Sequence, residues 1–347
     1  MSKRILIVGL GSAGKRQLRL AKMKFPDYEI KVLRSSTSDI PKANKSDFFR
    51  SLPEVAEFKP SMAIICSPSP FHVEIAQFLA GIGAHILIEK PISDSTEGLK
   101  DLINSCKENS LALMTGYNLR FLESLKYFRD CITKGEIGKI QSIRCEVGQY
   151  LPDWRPDKDY RTTVTARRDL GGGALLELSH ELDYLQWIFG SAEWVSAVIG
   201  KQSNLDIDTE DSAHLVIGFS EEILGYATIG NVNIDLYRRD KTRNCLVIGD
   251  CGSIKWDGIL DRVSIYSTLN PDWITVFQGK SNLEDTYLHQ LEDFVSASEN
   301  LTTGGATGAD GLRVLELIES AWKSSKSRSQ IKIKREFIEG VSPKCQR

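Results

Sequence analysis

A glycine motif directly after the first apolar run constrains the fold of this chain more than any other feature. The run RILIVGL continues into GLGSAG, which places Gly9, Gly11 and Gly14 in GxGxxG spacing. Glycines at these positions allow a tight turn and a close backbone approach, and a helix that starts there presents unpaired N–H groups to an anion. The motif therefore predicts a strand, a phosphate-binding turn through Ser12 and Ala13, and a helix, as in dinucleotide sites.

Four more short apolar runs follow at intervals that leave room for helices. They read EIKVLRS, MAIICSP, HILIEKP and LALMTGY and occupy residues 29–35, 62–68, 85–91 and 111–117. Apolar positions at three- and four-residue spacing predict helices between them, so repeated βα units should form a doubly wound parallel sheet. We expect an α/β Rossmann domain over residues 1–118.

The pattern changes after Tyr117. A predicted helix over 119–134 is followed by strand-like runs with short Gly or Asp turns, and two late helices are predicted over 283–298 and 309–325. Successive strands joined by short turns are typical of antiparallel pairing. We expect residues 119–347 to form an α+β domain for substrate binding and oligomerisation, with a large, mostly antiparallel open sheet.

Composition excludes several classes of partner. The 44 basic and 46 acidic residues are mixed along the chain, which leaves no basic surface for nucleic acid. Seven scattered cysteines without a CxxC pair indicate reduced thiols and no metal site. The chain lacks an apolar span of the roughly 20 residues that cross a bilayer, and it enters a strand without a signal-peptide pattern. We expect a cytoplasmic protein that binds small molecules and no membrane.

The end of the second predicted strand bears on the choice of cofactor. About 20 residues beyond the last glycine, where an NAD-binding protein carries Asp or Glu for the ribose, the sequence reads LRSSTSD. Arg34, Ser35 and Ser36 instead offer a guanidinium and hydroxyl donors that suit a 2′-phosphate. We expect NADP, with NAD as the alternative if this segment is a surface loop and Asp39 or a backbone group serves the ribose.

Two later strand ends should lie at the same edge of the sheet. CSPSPFH leaves the third long strand, so Ser67 and Pro68 are expected beside the cofactor, and His72 either contacts it or is exposed at a helix N-terminus. After the next strand comes EKP, where Glu89 and Lys90 precede a proline that cannot donate to a sheet. Because lysine is rarely buried without a partner, this charge indicates a functional strand end.

Together, VGLGSAG, CSPSPFH and EKP resemble the glucose-fructose oxidoreductase, inositol dehydrogenase and rhizopine catabolism family, Gfo/Idh/MocA. GYNLRF, GEIGKI, GGGALLELSHELDYLQWIFG and GADGLRVLELIESAW look like their counterparts there, in the same order. The resemblance implies hydride transfer at a secondary alcohol of a sugar or cyclitol, and dimers or tetramers assembled through the second-domain sheet. It also implies that Lys90 lies beside the nicotinamide, stabilises the developing alkoxide, and precedes a cis peptide bond to Pro91.

The segment Leu175–Phe189 is predicted to be one continuous helix. On a helical wheel, Glu177, His180 and Asp183 share an arc separate from the leucine face, which is an acid/base constellation. Histidine exchanges protons near neutral pH, and a carboxylate one turn away can orient its ring. The family often has an Asp four residues before this histidine, whereas Glu177 stands three before it, so Glu177 and Asp183 both remain candidate partners.

Substrate candidates lie at the domain junction and in the segment Gln149–Gly173. They are Asn118 and Arg120 at the junction, the aromatic residues Tyr150, Trp154 and Tyr160, and the cations Arg155 and Arg168. Aromatic rings can pack against sugar faces and guanidinium groups can bind a phosphate or carboxylate. Interleaved aspartates leave a second interpretation open, in which these arginines are paired within the loop. For Asn118 and Arg120 the alternative is hydrogen bonding between domains.

The sequence therefore favours an NAD(P)-dependent oxidoreductase acting on a sugar, with a nucleotide-linked or amino sugar as the family-level analogy. Two alternatives remain open at this point. One is an NAD-dependent glycoside hydrolase that uses transient oxidation, and the other is a non-catalytic dinucleotide-binding regulator. The presence of both Lys90 and His180 argues for catalysis.

Overall fold

The computed structural model describes residues 3–34, 47–280 and 282–334. Its contacts divide the chain into two compact units, Met1–Asn118 with Glu284–Leu312 and Leu119–Leu283 with Arg313–Arg347. The sequence-based division at Asn118 placed residues 284–312 in the second domain, whereas in the structure this late segment belongs to the first unit.

Strands and helices are numbered in chain order. The strands are β1 (Arg4–Val8), β2 (Glu29–Leu33), β3 (Phe48–Phe49), β4 (Met62–Ile65), β5 (His85–Ile88), β6 (Leu113–Thr115), β7 (Ile140–Gly148), β8 (Ala192–Gly200), β9 (Ser212–Phe219), β10 (Thr228–Asp235), β11 (Thr242–Gly249), β12 (Gly252–Asp257), β13 (Arg262–Ser267), β14 (Asn270–Gln278), β15 (Ala306–Thr307) and β16 (Ile331–Lys332). The helices are α1 (Ser12–Lys24), α2 (Leu52–Phe58), α3 (His72–Gly81), α4 (Leu99–Glu108), α5 (Glu123–Thr133), α6 (Ala174–Glu177), α7 (His180–Phe189), α8 (Leu283–Asn300) and α9 (Gly308–Ser327). Within the described ranges, no helix has an apolar stretch long enough to cross a bilayer.

The first unit contains the predicted parallel sheet, in the order β15-β6-β5-β4-β1-β2-β3. Only the short β15 runs antiparallel to its neighbour, β6, among these strands. The central strands are apolar along their whole length because helices cover both faces. Late helix α8 supplies part of that cover, since its Leu291 and Phe294 share one buried core with Ile5, Ile7 and Leu20. The carboxyl ends of β1, β4 and β5 are thus consecutive along one edge.

The second unit contains a nine-stranded sheet in the order β14-β13-β12-β11-β7-β10-β9-β8-β16. Its described strand pairs are antiparallel except β7 with β10, which confirms the expected mostly antiparallel sheet. Helices α5 and α7 pack on one face, where the Trp256 indole donates to Ser124 Oγ at 2.9 Å and meets the Tyr184 ring edge-on. On the other face of β8, β9 and β10, Val198, Val216 and Ile229 are exposed.

Candidate functional site

The three motif glycines differ in the space around their Cα atoms. Gly9 has φ +87°, and a Cβ there would lie 3.0 Å from the backbone of Cys66 and Ser67. A Cβ on Gly14 would lie 2.1 Å from the carbonyl oxygen of Gly9, so the start of α1 can pack against the turn only without a side chain. A Cβ on Gly11 would meet no protein atom within 4 Å. The fold therefore requires Gly9 and Gly14, whereas the space beside Gly11 faces out of the protein and suits a ligand.

Unsatisfied polar atoms lie next to this turn. The hydroxyl oxygens of Ser67 and Ser69, just after β4, are buried and have no hydrogen-bond partner among the described residues. Buried hydroxyls normally find a partner, so a polar group from outside the protein is the natural one here. The open space at Gly11 and the first turn of α1, with Ser12 and Ala13, fit a dinucleotide pyrophosphate. Pro68 follows Ser67 in the same strand exit.

Arg34 leaves β2 directly beside the glycine turn. The N–H of Gly9 donates to the carbonyl of Leu33 at 2.9 Å, and the N–H of Arg34 donates to Phe49 at 3.0 Å. Arg34 therefore stands at the strand end where a Rossmann domain holds the adenosine ribose. The other two predicted residues, Ser35 and Ser36, and the alternative Asp39 lie outside the described residues.

Lys90 is half-buried after β5, and the peptide bond to Pro91 is cis, as predicted. His72 is not exposed at the helix N-terminus, which was one of its two predicted roles, and its contact with the cofactor stays a prediction. It is 1% exposed, and its ring nitrogens face two backbone carbonyls, Nδ1 that of Pro91 at 3.1 Å and Nε2 that of Ser67 at 2.7 Å. Burial lowers the pKa of His72, and the bonds to the carbonyls oppose that shift. His72 thus ties the exit of β4 to the turn that carries Lys90.

Glu89, the other EKP residue, has a buried carboxylate that is bound from α1. Its Oε1 accepts from Gln17 Nε2 at 3.0 Å and lies 3.4 Å from Arg16 Nη2. The Arg16 guanidinium stacks over the Tyr287 ring of α8 at 3.5 Å. Glu89 therefore braces α1 against the end of β5. Sequence reasoning missed these partners, because Tyr287 is far away in the chain and belongs to no recognisable motif.

Asn118 is buried and bound within the first unit. It is 2% exposed, and its amide donates to Thr286 Oγ1 at 2.6 Å. Both residues belong to the first unit, so this bond anchors the start of α8 to the segment after β6. The substrate contact at Asn118 stays a prediction, since the bond to Thr286 uses one N–H of the amide.

In the second unit, the predicted continuous helix over residues 175–189 is broken. Helix α6 ends at Glu177 and α7 begins at His180, with Leu178 and Ser179 between them. His180 therefore lies at a helix start and is half-buried. The wheel that placed Glu177 and His180 on one arc assumed a helix that does not continue through this break.

The two candidate partners of His180 have different surroundings. Asp183 accepts from Arg120 twice, at 3.0 Å from Nε and 2.7 Å from Nη2, and the two side chains are 3% and 6% exposed. Glu177 Oε2 accepts from Thr165 Oγ1 at 3.1 Å. The Arg120 guanidinium also lies 5.5 Å from the Trp187 ring. Arg120, predicted to bind substrate, and Asp183, predicted to serve His180, are thus bound to each other.

A glutamate that sequence reasoning passed over lies beside the break. Glu210 Oε1 accepts from Leu175 N at 3.3 Å, and a Cβ on Gly173 would lie 2.4 Å from the same carboxylate. Burial raises the pKa of the Glu210 carboxyl above its ordinary value. The GGG segment before α6 therefore needs glycine partly because this carboxylate occupies the adjacent space.

Glu181, next to His180, fixes the start of α7 to the sheet. Its side chain is fully buried, and Arg243 Nε of β11 donates to its Oε1 at 2.8 Å. Arg243 pairs in register with Val147, at the end of β7. His180 consequently stands near the carboxyl end of β7. The sequence signal was Glu181 itself, a third carboxylate in the segment that contains Glu177 and Asp183.

Most of the predicted substrate residues have local partners. The Trp154 indole donates to Gln149 O at 3.1 Å, and Tyr160 Oη accepts from Asp206 N at 3.2 Å. Arg168 is exposed and donates to Asp208 through its backbone and its side chain. The Arg168 guanidinium is thus held by the backbone carbonyl of Asp208, while the Asp208 carboxylate accepts from the Arg168 backbone N–H. Arg155 is exposed.

Tyr150 has a different neighbour from the other aromatic candidates. The Arg239 guanidinium lies over its ring, 3.5 Å from the centroid. Sequence reasoning did not find Arg239, which lies in the segment between β10 and β11. Across the described ranges, no group of three or more His, Cys, Asp or Glu side chains is arranged to hold a metal ion.

Family models cover most of the chain. Residues 3–117 match the GFO_IDH_MocA model described as oxidoreductase family, NAD-binding Rossmann fold, and residues 129–333 match the model for the C-terminal alpha/beta domain of that family. Among curated relatives, myo-inositol 2-dehydrogenase of Thermotoga maritima is 26% identical over 282 residues, covering 78% of this chain and 79% of the relative. D-glucoside 3-dehydrogenase of Escherichia coli is 22% identical over 298 residues, covering 79% and 80%.

Solved structures show the same fold over nearly the whole chain. A levoglucosan dehydrogenase in complex with NADH superposes with a TM-score of 0.81 at 20% identity, covering 97% of this chain and 100% of that one. The WlbA dehydrogenase of Bordetella pertussis, in complex with NADH and UDP-GlcNAcA, superposes with a TM-score of 0.79 at 18% identity and the same coverage. Because the models for both domains of this family match in order, the chain belongs to the Gfo/Idh/MocA family of oxidoreductases.

Proposed function

We propose that this chain is an NAD(P)-dependent oxidoreductase that transfers hydride between the nicotinamide and a secondary alcohol or ketone of a sugar. The observation that carries the proposal is the position of Lys90. It follows β5, at the edge where the glycine turn follows β1 and the unsatisfied serines follow β4, and these three strands are consecutive neighbours. A charged donor is thus held in the first unit, near the predicted dinucleotide turn.

Lys90 and His180 have different roles toward the substrate. The nicotinamide, when bound, exchanges the hydride with the carbinol carbon. The Lys90 ammonium donates a hydrogen bond to the reacting oxygen and stabilises the negative charge that develops on it. His180 takes the hydroxyl proton during oxidation and returns it during reduction. Glu177 is the candidate that orients His180, because it accepts from a neutral hydroxyl, that of Thr165, whereas both carboxylate oxygens of Asp183 accept from the Arg120 guanidinium.

NADP is the proposed cofactor, supported by Arg34 and by the lack of an acidic residue from Arg34 to Thr37. Charge-assisted hydrogen bonds from a guanidinium to a 2′-phosphate correspond to a preference for NADP of roughly 10-fold to 150-fold. Arg34→Ala should weaken NADP binding by that factor and leave NAD binding nearly unchanged. Equal or tighter binding of NAD by the wild type in calorimetric titrations would refute this assignment.

Activity is tested on a panel of sugars, sugar phosphates, sugar acids and nucleotide sugars, each with NAD and with NADP. We expect net cofactor reduction, followed by absorbance of the reduced nicotinamide, with at least one sugar. Lys90→Ala should lower turnover by about 100-fold or more while cofactor affinity is kept, because only the charged transition state loses its donor. Lys22→Ala, an exposed lysine on α1, is the matched control and should retain activity.

Unchanged turnover in Lys90→Ala would remove Lys90 from the mechanism. If the protein holds NAD tightly, never consumes it and cleaves a glycoside, it is the NAD-dependent hydrolase and not the proposed oxidoreductase. Dinucleotide binding with no turnover of any compound would instead favour the regulator.

We also propose that copies of the chain associate through the open face of β8, β9 and β10. Val198 is 65% exposed and Ile229 is 52% exposed there, and neighbouring apolar side chains of this kind mark interaction surfaces. Ile229→Lys should lower the mass measured by light scattering to that of a monomer. Leu269→Lys, at a fully exposed leucine elsewhere, is the control and should not.

A further inference from the structure

The turn between β10 and β11 crosses the end of β7. These strands lie in the order β11-β7-β10, so residues 236–241 must pass over the carboxyl end of the middle strand. A Cβ on Gly148 would lie 2.7 Å from an Asp235 carboxylate oxygen and 2.9 Å from Cβ of Arg238, so a glycine is needed where the segments cross. Beyond it, Leu151 N donates to Leu236 O at 2.8 Å.

This crossing shares its edge of the sheet with His180. The start of α7 is bound there through Glu181 and Arg243, and Arg243 is in register with Val147, one residue before Gly148. β7 and β10 run parallel and stay in register to Gly148 and Asp235, so their carboxyl ends lie side by side at this edge. Residues of the crossing turn are therefore placed to contact a substrate on which His180 acts.

The arginines at and near this edge differ in how their charge is balanced. Arg161 pairs with Asp159, Arg167 with Asp169, and Arg238 with both Glu146 and Asp240. Arg239 is exposed, and no carboxylate among the described residues lies within salt-bridge distance of it. Its guanidinium lies instead on the Tyr150 ring, at 3.5 Å from the centroid.

Stacking fixes the plane of a guanidinium without using its N–H groups. The ring attracts the cation through its face, while the donors on the rim of the guanidinium still point outward. That rim matches the two oxygens of a carboxylate or phosphate. Tyr150 therefore orients Arg239 and leaves its charge available.

We propose that Arg239, held on Tyr150, binds an oxyanion of the sugar substrate, a carboxylate or a phosphate, and so selects acidic sugars over neutral ones. The assignment rests on the proposed sugar oxidoreductase activity. We prefer Arg239 to Arg168 for this role, because the Arg168 side chain is tied to the backbone carbonyl of Asp208, whereas Arg239 lies at the carboxyl end of β7.

The test compares glucose, glucuronate and glucose 6-phosphate with wild type, Arg239→Gln and Arg239→Lys. With the wild type, at least one of the two acidic sugars should have a lower KM than glucose. Arg239→Gln should raise that KM by about 10-fold to 150-fold while kcat and the KM for glucose stay within about 2-fold. Arg239→Lys keeps the charge but not the planar fork, so an intermediate KM is expected. Arg161→Gln, an exposed arginine paired with Asp159, should behave as wild type.

Calorimetric titration of the same three sugars into the NADP-saturated protein separates this proposal from the proposed function. Weaker binding of glucuronate or glucose 6-phosphate to Arg239→Gln supports the assignment even if no sugar is oxidised, in which case the proposed function fails alone. The acid that is affected identifies the source of the oxyanion. Equal binding of glucose and both acids by the wild type, no binding of either acid, or an unchanged affinity in Arg239→Gln would overturn the role of Arg239.

Discussion

The buried pair of Arg120 and Asp183 allows a decisive test of what Asp183 does. We take Asp183→Asn as the perturbation, because it keeps the shape of the side chain and removes its charge. Two N–H···O bonds of 3.0 and 2.7 Å then lose their ionised acceptor. The Arg120 guanidinium, 6% exposed, then loses the carboxylate charge of Asp183.

The expected cost follows from that burial. Removing one partner of a buried ion pair typically destabilises a protein by about 3–5 kcal/mol, since the other charge stays desolvated. This corresponds to a rise of roughly 150-fold to 4,000-fold in the unfolding equilibrium constant. Replacing both partners, as in Arg120→Met with Asp183→Leu, should recover most of the loss because both members of the ion pair are then removed together.

Tryptophan fluorescence reports this loss in the unit concerned. All six tryptophans lie in the ranges 119–283 and 313–347, which form the second unit. Urea titration followed at their emission therefore measures the free energy of unfolding of that unit. Asp169→Asn is the control, because its pairing with Arg167 is exposed to solvent and should contribute nothing measurable.

Activity of the same variants separates a structural role from a catalytic one. If Asp183 only balances Arg120, the double variant should recover stability and, with it, turnover. The reasoning is refuted if Asp183→Asn keeps the wild-type unfolding midpoint while turnover falls and its pH profile shifts. That result would make Asp183 the carboxylate that orients His180.

Two further predictions follow from single side chains. Gly14→Ala should destabilise the first unit by about 1–3 kcal/mol, because its Cβ would meet the Gly9 carbonyl. Gly11→Ala should keep wild-type stability and lose dinucleotide affinity. Equal effects of the two substitutions in thermal denaturation would contradict this prediction. Because burial raises the pKa of Glu210 in the folded state, stability falls as the pH rises from the ordinary value of 4.5 through the folded pKa. The Gln side chain in Glu210→Gln can still accept from Leu175 N, so this variant should have a higher melting temperature than the wild type at neutral pH. The advantage should disappear below pH 4.5. A difference in melting temperature that stays constant across pH would count against this prediction.

The first sheet was predictable because its strands are apolar along their whole length. A strand that is buried on both faces is apolar throughout, so a run such as MAIICSP is readily predicted as a strand of a parallel sheet. The glycine motif predicts the type of turn that follows β1. What the sequence did not reveal is the return of α8 to this sheet. Helical periodicity shows that α8 has an apolar face but contains no information about which surface that face covers.

The candidate site was predictable as residue types and not as contacts. The motifs identified Lys90 and His180, and the cis bond before Pro91 was confirmed. The break before His180 was missed because the apolar periodicity of Leu175–Phe189 continues through Leu178 and Ser179. The pairing of Arg120 with Asp183 was missed because two charges far apart in sequence show no common pattern until a fold brings them together.

The late segment Glu284–Leu312 has a consequence for how the protein is synthesised. The first unit contains the earliest residues of the chain, yet α8 covers Ile5, Ile7 and Leu20 with Leu291 and Phe294. At ~5–20 residues per second, a ribosome needs roughly 10 to 40 s to move from Asn118 to Leu312. During that interval the nascent sheet has one apolar surface uncovered, and a chaperone can bind there until translation supplies the missing helix.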